Sequence, residues 1–190
     1  MGEVALIEGG ARGRTRRAII EAAMTVLADN PAAPLSDIAT AAGVGRSTLH
    51  RYFTERADLI RALALHVHEL STAAIVEAEP ECGPPLAALR RVVEGQLDLG
   101  PIVVYVFTEP IVNADTELMA HLDTGDEVIA EMLAKVSTQP DTAPPGWARR
   151  AFWALLDAGN QAAKQDGTPK HRIVDAIMTT LTQGTITSDV

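Results

Sequence analysis

The stretch Ser36-Asp37-Ile38-Ala39-Thr40-Ala41-Ala42-Gly43-Val44-Gly45-Arg46-Ser47-Thr48-Leu49-His50-Arg51-Tyr52-Phe53 reads as a helix, a tight glycine turn and a second short helix. Ile38, Ala39 and Ala42 form the buried side of the first helix, and the two alanines let a neighbouring helix come close. Gly43 takes positive φ where that helix must end. Val44 and Leu49 fill the angle between the helices. Arg46, Ser47, Thr48, His50 and Tyr52 are left on the outer face of the second helix. That is the build of a helix-turn-helix, in which the second helix lies in a DNA major groove.

The flanking sequence supplies the rest of a small three-helix core. Upstream, a helix beginning at Thr15-Arg16-Arg17 places Ile19, Ala23, Val26 and Leu27 on one stripe, and Asp29-Asn30-Pro31 ends it. Pro34 suits the first position of the next helix. Downstream, Thr54 is the expected cap of a helix that starts Glu55-Arg56-Ala57-Asp58 and continues through Leu59, Ile60, Leu63 and Val67 to about Glu79.

With these residues in view, positions 15 to 61 resemble the DNA-binding region of the tetracycline-repressor (TetR) family of one-component transcription regulators. The matching residues are Ile38-Ala39, Ala42-Gly43-Val44, Thr48-Leu49, Tyr52-Phe53 and Asp58-Leu59. The chain departs from the family at Gly45, where Ser is the usual cap of the recognition helix. It departs again at His50, where Tyr is frequent. The resemblance implies an all-α fold: a three-helix DNA-binding domain (residues 10–56) and a larger helical ligand-binding and dimerisation domain (57–190), with a bridging helix at about 55–79. It also implies a repressor that binds double-stranded DNA at a palindromic operator and is released by a small-molecule effector.

Charge is distributed unevenly. Residues 10 to 61 hold eight Arg against five acids, while Val92 to Ala134 contain nine Asp or Glu and no Lys or Arg, within a chain of net charge −9. A basic foot under an acidic body orients the molecule on DNA by its N-terminal end. The acidic stretch suits a solvated face, and its alternative is a preference for apolar, neutral or cationic effectors. The apolar runs fall short of the roughly 20 residues of a membrane span, and the N-terminus has no basic lead-in to an apolar core. The lone Cys82 excludes an internal disulfide framework. A cytoplasmic protein without membrane association is therefore expected.

Beyond the bridging helix, Pro80 to Pro85 form a loop, and Leu86 to Leu99 a helix with Leu86, Leu89, Val93 and Leu97 inward. Ile102 to Phe107 is a short apolar run that the helical surroundings favour as helix. Thr116 to Val136 reads as one helix with Gly125 as a weak point, and Ser137 to Pro145 as a loop. Two helices close the chain, at about 146–166 and 169–183. The first carries a small-residue stripe of Ala148, Ala151, Leu155, Ala158 and Ala162; the second carries Ile173, Ile177, Thr180 and Leu181. By resemblance this pair forms a homodimer interface; the plainer alternative is that both stripes close the chain's own core.

For DNA contact the candidates are Thr15, Arg46, Ser47, Thr48, His50, Arg51, Tyr52 and Arg56. Arg46, at the start of the recognition helix, is placed to read a guanine edge bidentately. Thr48 and Tyr52 bring hydroxyls to phosphate oxygens. Arg56 lies in the first turn of the next helix, beside its N-terminal dipole. Thr15, with Arg12, Arg14, Arg16 and Arg17, can clamp phosphates. For an effector cavity the candidates are Tyr105, Phe107, Met119, Met132, Trp153 and Asn160, with His66 on the bridging helix. No phosphate loop, nucleophile motif or metal-ligand spacing occurs; His66 and His68, two apart, point in different directions on a helix. An enzyme, a metal and a cofactor are not expected. The rival class is a helical protein-interaction module.

Overall fold

The computed structural model describes residues 10–123, 127–136 and 143–183. Among the described residues it is helical, without strands. Helix α1 (Ala11–Asp29) packs against α2 (Leu35–Ala41), and the turn at Gly43 leads to α3 (Arg46–Tyr52). Ile19, Leu27, Ile38 and Leu49 are fully buried where these three meet. Helix α1 starts four residues earlier than its apolar stripe suggests, so Arg12 and Arg14 lie on it.

The bridging helix α4 (Arg56–Glu77) ends two residues short of expectation. Its cap is Glu55, not Thr54: the Glu55 backbone N–H donates to the Asp58 carboxylate at 3.0 Å, the reciprocal arrangement that stabilises a first turn. By length and composition α4 is apolar enough to cross a membrane. Leu59, Ile60, Leu63, Val67 and Ile75 are instead buried in the protein core, while Leu65 and Val76 are exposed.

Helices α5 (Pro85–Leu99), α6 (Ile102–Thr108), α7 (Pro110–Asn113), α8 (Thr116–Leu122), α9 (Glu127–Val136), α10 (Trp147–Asp166) and α11 (Lys170–Gln183) build the body. The run from Thr116 to Val136 is therefore two helices; Gly125 lies outside the described residues, as does most of the loop that follows Val136. Leu86 is 46% exposed rather than inward, because it stands in the first turn of α5, before that helix meets its neighbours at Ala88 and Leu89.

Apolar side chains gather into two clusters. The first joins α1–α4 to α6, α7 and α8, so the three N-terminal helices share their core with helices that come after α5. The second holds α5 and α9–α11 together. On α10 the buried face is Phe152, Leu156 and Gly159. Ala148, Ala151, Leu155 and Ala162 are only half-buried beside that face, and Ala158 is exposed. On α11, Ile173 and Ile177 are buried in the chain's own core, with Thr180 and Leu181 half-buried.

Candidate nucleic-acid interface

Gly43 stands at φ +65°, a conformation that side-chain-bearing residues seldom adopt, and lets α2 end against the start of α3. Val44 N–H donates back to the Ala39 carbonyl at 3.0 Å, which fixes the turn. Gly45 opens α3 without a side-chain cap, as its lack of an oxygen dictates. Leu49 is 1% exposed and anchors α3 to the core.

Anchoring by Leu49 decides what faces outward. Arg46, Ser47, His50 and Arg51 are exposed, and Thr48 and Tyr52 are half-buried. His50 and Arg51 occupy the last turn, where the helix dipole favours positive charge. His50 Nδ1 lies 3.3 Å from the Thr54 carbonyl, so its ring is tied to the following turn. Arg46 and His50 line a small hollow of about 210 Å³ with Leu35, Ser36 and Leu49.

Helix α1 contributes more here than its sequence suggests. The Arg12 and Arg51 guanidinium groups lie 5.9 and 5.7 Å from the Tyr52 ring centroid, and Arg16 lies 5.4 Å from that of Phe53. These cation–aromatic contacts gather Arg12, Arg16 and Arg51 at one end of α3. Thr15, half-buried, donates its hydroxyl to the Ala11 carbonyl at 3.0 Å within the first turns of α1.

Arg56 is placed differently from the other candidates. Its guanidinium donates to the Ala33 carbonyl at 2.6 Å and to the Pro31 carbonyl at 3.0 Å, both in the turn between α1 and α2. Two of its donors are thus turned to the protein's own backbone, and its charge also lies close enough to Tyr105 to act on that hydroxyl. Partners 23 and 25 residues away leave no local signal in the sequence.

The candidate effector residues are only partly brought together. Tyr105, Phe107, Met119 and Trp153 all border the first core cluster, with the Phe107 and Trp153 ring centroids 5.5 Å apart. The Tyr105 hydroxyl is buried without a hydrogen bond of good geometry. Burial first, then the neighbouring Glu109, push its pKa up to about 12. Met132 belongs to the second cluster, beside Ile129 and Leu133. Asn160 is half-buried on α10. His66 lines a groove of about 580 Å³ between α1 and α4 and lies 3.7 Å from Glu69. His68 and His121, on α4 and α8, approach edge to face at 5.3 Å, a pairing that the sequence reading missed.

Residues 19–63 match the family model described as "Bacterial regulatory proteins, tetR family". The transcriptional repressor LfrR of Mycolicibacterium smegmatis is 66% identical over 181 residues, covering 95% of each chain. A crystal structure of LfrR in complex with proflavine superposes with a TM-score of 0.82 at 66% identity, covering 92% of this chain and 98% of that one. A second crystal structure of LfrR gives 0.76 at 60% identity, covering 90% and 99%. Identity at this level, along nearly the whole of both chains, extends the likeness well past the DNA-binding helices, and the chain belongs to the tetR family of bacterial regulatory proteins.

Proposed function

We propose that this transcriptional regulator is a homodimeric repressor that reads a palindromic operator with α3 and leaves it when a cationic, planar aromatic effector binds the body. In this reading residues 10–56 are the DNA-reading head and residues 57–190 the sensing and dimerising body. The observation that carries it is the orientation of α3: Leu49 faces the core, while Arg46, Ser47, His50 and Arg51 face outward. A major groove admits a helix presenting such donors, and Arg46 pairs with a guanine edge. Tyr52 and Thr48 supply phosphate contacts, and Arg12, Arg16 and Arg51 add positive charge beside them.

The dimer is supported by geometry and need. The half-buried alanines of α10 leave a narrow strip beside its core face on which a second copy's helix can pack. Two heads spaced by one DNA turn give the selectivity that one short helix lacks. For the effector, the support is the Phe107–Trp153 pair and the excess of acidic residues, with no Lys or Arg, between Val92 and Ala134; at Tyr105 the Glu109 carboxylate is balanced by Arg56. Proflavine, bound by the LfrR relative, is a molecule of that chemistry.

The test is selection of bound duplexes from a random pool, then titration of the selected duplex at two salt concentrations. A palindromic site with steep salt dependence is the expected result. Arg46→Ala and Tyr52→Ala are each expected to abolish binding while leaving the helical fold and the dimer intact. Normal operator binding by both variants sinks the assignment of α3. Proflavine is expected to lower operator affinity, and no effect at saturation removes the effector reading.

A further inference from the structure

The turn between α1 and α2 is gripped from two sides. Lys164, in the last turn of α10, places its ammonium 2.9 Å from the Asp29 carboxylate and donates to the Asp29 carbonyl at 2.9 Å. Asp29 is the final residue of α1, so that carbonyl is one of the acceptors a helix end leaves without an internal partner. From the other side Arg56 holds the carbonyls of Pro31 and Ala33. Between the grips the turn is braced by itself: Ala32 N–H donates to the Asn30 side chain at 3.2 Å, and Ala33 N–H to the Asn30 carbonyl at 3.0 Å. Ala33 is buried, and α2 begins two residues later. A stiff turn held in this way sets where α2, and through the Gly43 turn α3, sit on the body.

We propose that Lys164 is a positioning residue for the recognition helix, fixing the head on the body through Asp29 by a route that does not pass along the bridging helix. Residues 29 and 164 are 135 apart in the chain, and the pair joins the end of the first helix to the end of α10. Helix α10 is a rigid rod that also carries Trp153, three turns and about 16 Å before Lys164. A shift of that rod is passed to Asp29 for as long as the pair holds. The Lys164 ammonium also holds the Asp29 carboxyl below its ordinary pKa, by hydrogen bonding first and charge second, so the pair is intact at neutral pH. Both side chains are more than half exposed, which makes the pair a minor contributor to global stability. Its effect falls on geometry instead.

The inference rests on α3 being the DNA reader, and its test has one arm that needs no DNA. In full-length Lys164→Ala, hydrogen exchange is expected to quicken at residues 29–33 and onward through α2 and α3, with the thermal midpoint nearly unchanged. Lys164→Arg, which keeps charge and donors, is expected to restore protection. In the second arm, affinity for the selected operator duplex is expected to fall roughly twofold to fivefold in Lys164→Ala and to recover in Lys164→Arg. Unchanged exchange, or loosening confined to residues 29–33, overturns the proposal. Faster exchange through α3 with unchanged operator affinity also overturns it, since the pair would then be structural alone. A wild-type chain that selects no duplex refutes the DNA reading, while the exchange arm still decides whether Lys164 fixes the head.

Discussion

Ser71 and Gln96 satisfy each other inside the body: the Ser71 hydroxyl donates to Gln96 Oε1 at 2.8 Å, and Gln96 Nε2 donates to the Ser71 carbonyl at 3.2 Å. Both residues are buried, 8% and 2% exposed, and they pin α4 to α5. Removing the Gln96 amide leaves the Ser71 hydroxyl buried without its acceptor, and removing the hydroxyl leaves Gln96 Oε1 without its donor while Nε2 keeps the residue 71 carbonyl; each loss costs about 1–3 kcal/mol. Gln96→Leu and Ser71→Ala are each expected to lower the urea midpoint. The double variant Ser71→Ala/Gln96→Leu removes both polar groups and is expected to be less destabilised than the sum of the single changes. Strict additivity would show that the two groups do not depend on each other.

Two glycines inside helices separate propensity from packing. A Cβ at Gly95 would meet Ala74 at an ordinary 3.5 Å, so Gly95→Ala is expected to stabilise by about 0.5–1 kcal/mol through helix propensity. A Cβ at Gly159 would lie 2.6 Å from Ile173 Cγ2 and 3.3 Å from Ile177 Cδ1. Cγ2 hangs on a β-branched carbon with a stiff χ1 angle, so it yields poorly. Overpacking of about 1–3 kcal/mol then outweighs the same propensity gain, and Gly159→Ala is expected to be net destabilising. Calorimetry on the two variants decides it; a higher midpoint for Gly159→Ala would mean that α11 shifts aside freely.

The head was legible in the sequence because its determinants are local. Gly43, Leu49 and the polar residues around Leu49 specify turn, anchor and outer face within fifteen positions. What escaped was set by partners far along the chain. Arg56 looks like a surface arginine at a helix start, and only the folded turn at Pro31 and Ala33 turns it inward. Lys164 and Asp29 carry no mark of their pairing. Met119 and Met132 are the same residue type on similar apolar stripes, yet they fall into different cores because the run from Thr116 to Val136 is two helices. Thr54 and Glu55 both offer an oxygen for capping, and the side-chain reach of Asp58 back to the Glu55 N–H selects the second.

His68 makes the stability of the body depend on mild acid. Burial first, and then the facing His121, hold its pKa below the usual 6.5, against a smaller opposite pull from Glu69. A histidine with a depressed folded pKa binds fewer protons in the native state than in the unfolded one. Its contribution is full above pH 6.5 and is lost as pH falls from there toward the lower folded value. The carboxyls of Asp29 and Asp115, also held low, titrate below 3.8 and so do not overlap this window. Urea midpoints measured from pH 7.5 to pH 5 are expected to decline in the wild type and to flatten in His68→Gln. An equal decline in both would assign the acid sensitivity elsewhere.

Arg56 offers the sharpest distinction between a structural role and a DNA contact. A side chain that neutralises a phosphate releases a counterion, so its loss lowers the salt dependence of operator binding by about one unit of log–log slope. A side chain that holds the Pro31 and Ala33 carbonyls contributes through fold instead, with charged hydrogen bonds worth about 1.5–3 kcal/mol. Arg56→Met keeps an unbranched apolar stem while removing every donor. The expected outcome is a lower unfolding midpoint and weaker operator binding at all salt concentrations, with the slope unchanged. Arg51→Ala, which removes an exposed guanidinium beside Tyr52, is the matched comparison: its midpoint should stay put while its slope falls. A reduced slope in Arg56→Met with an unaltered midpoint would place its guanidinium on the phosphate backbone.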